Sequence, residues 1–129
     1  PWDLTDGIDS GNAAKALLAA RRLMNAGERH PLQIMAQLHG HYSRLAKLDV
    51  SYVPTLAEAE ALLGAKGFAA EKALRTFRSL TGAGVRRALE LLAAADLDLR
   101  GFTGLDEEVV MDVLIARLAK LNGVVSQRR

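Results

Sequence analysis

The sequence predicts an all-α bundle, and three observations carry that reading. Alanine and leucine each supply 22 of the 129 residues, and both are strong helix formers. No segment keeps the two-residue alternation of a half-buried strand, whereas apolar residues recur three and four apart through most of the chain. Half of all residues are apolar but only 5% are aromatic. A chain of this length suits one domain, able to bury roughly two-thirds of the surface that its unfolded form exposes. No internal repeat or low-complexity linker divides it, so residues 1–129 are expected to form a single bundle of five to seven helices.

The elements follow in order. Trp2–Ile8 reads as a short opening helix capped by Asp3. A Ser-Gly-Asn break at 10–12 starts a helix running to about Ala26, with Leu17, Ala20 and Met24 on one face. Gly27 stands where a left-handed carboxyl-terminal cap belongs. Pro31 marks the first turn of the next helix, which runs to about Leu48 with Met35, Leu38, Tyr42, Leu45 and Leu48 as its stripe. Asp49–Pro54 is a connector in which Val53, preceding proline, is extended. Thr55 and Glu58 have capping-box spacing and predict a short helix over 56–63, with Gly64 and Gly67 bracketing the turn beyond it. A fourth long element covers about 69–79, with Ala73, Leu74, Phe77 and Leu80 inward. After a glycine break, another runs from about Val85 to Ala95 and winds down over Asp96–Gly101. The last helix starts after Asp106, with Glu107 and Glu108 favourably placed for the macrodipole and Leu105 and Val110 spaced as a staple. Its buried stripe is read as Val110, Val113, Leu114, Leu118 and Leu121, and Gly123–Arg129 as a frayed tail.

Composition narrows the function classes. There is no cysteine, which removes disulfides and thiolate metal sites and fits a reducing cytoplasm, where the chain is expected to reside. The longest apolar runs, Ala16–Ala20 and Leu91–Ala95, are too short to span a bilayer, so no membrane partner is expected. The chain opens on Pro, without a charged-then-apolar signal segment, and is read as a piece of a longer protein. A net charge of +2 permits contact with nucleic acid without demanding it.

Few residues offer chemistry. His39 and His41, two apart on one helix, diverge by about 200°, and with His30 they complete no metal-ligand pattern, so neither metal nor other cofactor is expected. Asp96 and Asp98 sit in a fraying helix end, placed to solvate, cap or pair with Arg100. No Walker-type loop or nucleophile elbow occurs, and the chain is not expected to be an enzyme.

The segment LTGAGVRRALELL at 80–92 invites two readings. In one it is a helix-hairpin-helix DNA module, with Gly82 and Gly84 opening a backbone anion site and Arg86 and Arg87 contacting phosphate. Ala83, at the centre, is smaller than the apolar anchor such a hairpin uses. In the other reading the glycines open an ordinary packed helix. A second signal is surplus apolar surface. The helix at 13–24 is interrupted only by Lys15, Arg21 and Arg22, and the helix at 85–95 is apolar around much of its circumference. Leu18, Arg21, Arg22, Leu91 and Ala94 are the candidate protein–protein interface.

Four stretches together resemble one family. Pro1-Trp-Asp-Leu-Thr-Asp-Gly-Ile8 is similar to an aromatic-x-Leu-x-Asp-Ala-Ile segment, with Gly7 in place of the usual Ala. Residues 13–48 look like a long helical pair joined by a Gly-Glu-x-Pro turn, 67–80 like a lysine-bearing fourth helix, and 85–101 like a helix ending in an acidic residue, Leu, a basic residue and Gly. In this order they resemble the carboxyl-terminal domain of the delta subunits of bacterial DNA polymerase III clamp loaders. The resemblance implies a non-catalytic collar domain that packs with equivalent domains of gamma/tau-type and delta-prime-type subunits. It also implies ATPase-related amino-terminal domains, absent here, through which the sliding clamp would be engaged, and at most weak or indirect contact with DNA.

Overall fold

The computed structural model describes the backbone of residues 2–27 and 29–127 and the side chains of 3–27 and 29–122. Six helices account for it: α1 (Trp2–Asp9), α2 (Ala13–Asn25), α3 (Pro31–Ala46), α4 (Leu56–Leu63), α5 (Phe68–Leu99) and α6 (Glu107–Gln127). Among the described residues there is no strand, and the all-α expectation holds.

Local chemistry explains most boundaries. Asn12 caps α2 by accepting from the Lys15 N–H at 3.1 Å. Beyond the helix Gly27 takes φ +70°, as its position predicts, and the Arg29 N–H returns to the Leu23 carbonyl. His30 caps α3 through Nδ1, and Gln33 closes the box by accepting from the His30 N–H at 2.8 Å, with Pro31 at the first helical position. Thr55 and Glu58 form the expected box on α4. The Thr55 N–H donates to the Glu58 carboxylate and holds it below the usual carboxylate range. At the amino terminus Asp3 is not a cap, because the helix already includes Trp2 and places Asp3 inside the first turn. Pro1 lies outside the described residues, as does Glu28 of the Gly27–Pro31 turn.

The main core joins α1, α2, α3, α6 and the second limb of α5. Leu4, Ile8, Ile34, Leu38, Tyr42, Met111, Ile115 and Leu118 are almost wholly buried there. Helices α1 and α2 approach closely at Gly7, where a Cβ would meet the Ala16 backbone nitrogen at 2.7 Å. A smaller cluster of Leu48, Ala59 and Leu74 seats α4 on the first limb of α5. The expected stripe of α3 is buried throughout, although the helix ends at Ala46 and Leu48 packs from the following turn.

Two expectations are corrected. The two helices expected on either side of the glycine break are present as the two limbs of α5, but they meet at a kink on Thr81, at φ 67° and ψ 170°, and not across a glycine hairpin. Gly82 and Gly84 lie in the first turn of the second limb, with no positive φ. In α6, Val110, Leu114 and Leu118 are buried and Leu121 is partly so, but Val113 is 43% exposed and Met111 and Ile115 take the inward positions. The helix continues through Gln127, so the tail expected from Gly123 is helical to that point, while Arg128 and Arg129 lie outside the described residues.

Candidate interaction face

The sequence-predicted interface residues fall in two separate grooves. Leu18, Arg21 and Arg22 line an open groove on α1 and α2 together with Asp3 and Leu23. Leu18 is 51% exposed there, because Ala16, Ala19, Ala20 and Leu23 take the inward face of α2. Arg21 is held across to α6 by a 2.8 Å bond from Nη2 to Asp112 Oδ2, which raises its already high pKa further. Leu91 and Ala94 line a second groove, between α5 and α6. There Leu91 is only 7% exposed and serves the core, while Ala94 is exposed.

That second groove also contains residues that the periodicity had not singled out. Leu97 on α5, Leu105 before α6, and Val109 and Val113 on α6 are each between 43% and 52% exposed, and all but Leu97 line the groove itself. On the other flank of the same limb, Ala93 and Leu89 border a groove against Leu32, Ala36 and His39 of α3. The second limb of α5 is thus buried along one side and presents Ala93, Ala94 and Leu97 outward between two apolar grooves. Scattered exposed leucines are ordinary; a continuous apolar strip over two helices is the feature that marks contact surfaces. The sequence did carry its signal. Apolar residues at 109, 110, 111, 113, 114 and 115 surround α6 nearly completely, and one stripe of them had to face outward.

The LTGAG segment is arranged differently from a phosphate hairpin. At Thr81 the backbone turns, and Gly82 then packs on the carboxylate of Asp49 so closely that a Cβ there would lie 2.4 Å from Oδ1. Asp49 also accepts from Arg86 Nη1 at 2.6 Å. Of the four residues proposed for phosphate contact, Gly82 and Arg86 are therefore gathered around an internal carboxylate. Gly84 packs against Leu80, and Arg87 is exposed. The start of the second limb already holds a negative charge, and an approaching phosphate would be repelled by it.

The three histidines serve three different ends. His30 caps α3, His39 is exposed with its Nδ1 3.4 Å from the Ser43 hydroxyl, and His41 Nε2 lies 3.0 Å from Asp9 Oδ1. No three metal-ligating side chains cluster among the described residues. Asp96 pairs with Arg100 at 2.9 Å, one of the arrangements expected of that helix end. Among the described residues no helix is long and apolar enough to cross a membrane. No protein-family model, curated protein or solved structure matches the chain.

Proposed function

We propose that this chain is a non-enzymatic assembly module, a collar-type domain of a clamp-loader subunit. In this reading it docks on the gamma/tau-type and delta-prime-type subunits through the outward strip of α5 and α6. The observation that carries the reading is the strip itself: Ala94, Leu97, Leu105, Val109 and Val113 remain exposed after the chain has filled its own core. The family resemblance of the four stretches supplies the kind of partner. Burying a half-exposed Val or Leu gains about 1 kcal/mol, so the four such residues, with Ala94 beside them, supply the apolar centre of an interface while charged residues such as Arg117 and Asp98 form its rim. Leu18, Arg21 and Arg22 form a second, smaller contact in this scheme.

Mixing the chain with purified loader subunits and separating the mixture by size tests the reading. Co-elution with a gamma/tau-type or delta-prime-type subunit supports it. Salt-sensitive binding to duplex DNA with no subunit binding would replace it with the phosphate-hairpin reading, since phosphate contacts release counterions and weaken steeply with salt. The Asp49 carboxylate at Gly82 weighs against that outcome.

A further inference from the structure

The outward face of α6 is polarised from end to end. Asp106, just before the helix, and Val109, Val113, Arg117 and Lys120 within it follow at spacings of three and four, so they form one stripe. All five are exposed. Among the described residues no ion pair engages Asp106, Arg117 or Lys120. The stripe begins acidic, is apolar at its centre and ends basic. Glu107 and Glu108 stand off it, bordering Arg21 and Arg29 on another side of the helix. On α5, which runs antiparallel along the shared groove, Asp98 adds to the acidic end, while Arg87 and Glu90 offset each other near the basic end. Such a stripe is complementary to itself when turned end for end. Asp106 and Lys120 each lie seven residues from Val113, and Val109 and Arg117 each lie four.

We propose that two copies of the chain pair through this strip, their α6 helices antiparallel about a twofold axis at Val113. Asp106 of each copy then meets Lys120 of the other, and each Val109 is covered by the aliphatic stem of the opposing Arg117. A twofold axis demands that a surface match itself in this way. The apolar side chains favour contact in any orientation; the charges select this one. Leu97 and Leu105, about half exposed, flank the acidic end and widen the contact. Four half-exposed apolar side chains per copy fall short of a standard interface, so the pair is weak and reversible. The pairing rests on the strip being a contact surface, as in the docking reading, and on no property of a loader subunit.

The test is sedimentation of the whole chain alone, from about 10 μM to about 1 mM, where a concentration-dependent dimer is expected. Asp106→Lys or Lys120→Glu puts like charges opposite each other, and the axis repeats each clash twice. Either variant alone should pair at least about fivefold more weakly. In an equimolar mixture the two introduced charges face each other, and pairing should return to the parent's level. Asp106→Lys also disturbs the start of α6, so a second measurement avoids it. The chain has no cysteine, and Val113→Cys places a single thiol on the axis. Mild oxidation should link that variant into covalent dimers, while Leu18→Cys, equally exposed on α2, stays monomeric. A chain that is monomeric throughout the range overturns the proposal. So does a dimer indifferent to the charge changes, or Leu18→Cys linking as fast as Val113→Cys. A monomeric chain that still co-elutes with loader subunits removes the self-pairing alone; a dimer that ignores those subunits supports the pairing and removes the loader reading.

Discussion

Replacing Gly7 by alanine tests the seam on which the bundle is built. Gly7 is fully inside α1, and its absent side chain lets α2 approach until a Cβ at this position would lie 2.7 Å from the Ala16 nitrogen, 3.0 Å from its Cα and 3.1 Å from its Cβ. Two of those atoms are backbone, so relief requires α1 and α2 to move apart rather than a side chain to swing away. Overpacking of this kind costs about 1–3 kcal/mol. Against it stands the helix preference for alanine over glycine, close to 1 kcal/mol. The net expectation is a loss of about 1 kcal/mol, or a melting temperature lower by about 4 °C for a domain of this size. Gly40 on α3 supplies the control. It is helical and exposed, and a Cβ there would meet nothing within 4 Å. Gly40→Ala should therefore raise stability by about 0.5–1 kcal/mol. Thermal and urea unfolding of both variants, followed by circular dichroism, give the two signs. A stabilised Gly7→Ala chain, moving in the same direction as Gly40→Ala, would refute the close approach. The outcome also bears on the family resemblance, in which alanine is usual at this position.

Other substitutions probe different terms. Thr81 occupies a backbone region that glycine alone enters readily, at a strain cost of about 1–3 kcal/mol. Thr81→Gly should gain about 1 kcal/mol in urea unfolding after glycine's entropy is counted, and a loss would mean that the side chain anchors the kink. The Tyr42 hydroxyl is buried without a partner, so Tyr42→Phe should be neutral or stabilising by up to about 1 kcal/mol. Burial, and then the charge of Asp9, push the Tyr42 phenol well above its ordinary value of 10.0. The folded state keeps a proton that the unfolded state releases, so the stability tied to this group is intact below that ordinary value and is lost as the pH rises beyond it. In alkaline ultraviolet titration the folded wild-type and Tyr42→Phe chains should show the same phenolate amplitude; a smaller amplitude for Tyr42→Phe would show Tyr42 ionising in the fold.

Much of the fold was legible because its signals are local. The Thr55–Glu58 box, Pro31 at the start of α3, and Gly27 and Gly64 beyond the ends of their helices each act within four residues. All stand where the sequence placed them. The errors arose where local signals were degenerate. With apolar residues around most of α6, its period could not distinguish Val113 from Met111 and Ile115 as core positions; contact with α2 and α5 decided it. The glycines at 82 and 84 suggested a hairpin, but their smallness serves packing on Asp49 and Leu80, and the turn fell on Thr81. The exposed strip was half visible, through Ala94, and incomplete without knowing which face of α6 turned outward. The Asp9–His41–Arg44–Lys72 cluster was invisible, since its members come from three helices, α1, α3 and α5, about thirty residues apart in sequence, and only their packing brings them together.

The most direct measurement of the assembly reading is subunit binding by charge-bearing variants of the strip. Leu97→Glu and Val113→Glu lie outside the core and should leave the circular dichroism and melting behaviour close to the parent. If the strip of α5 and α6 is the docking surface, each should weaken co-elution with the gamma/tau-type and delta-prime-type subunits by at least about tenfold, the cost of burying one unpaired charge. Leu18→Glu should weaken it less. Binding by Leu97→Glu and Val113→Glu that equals the parent would show that this face is not the interface.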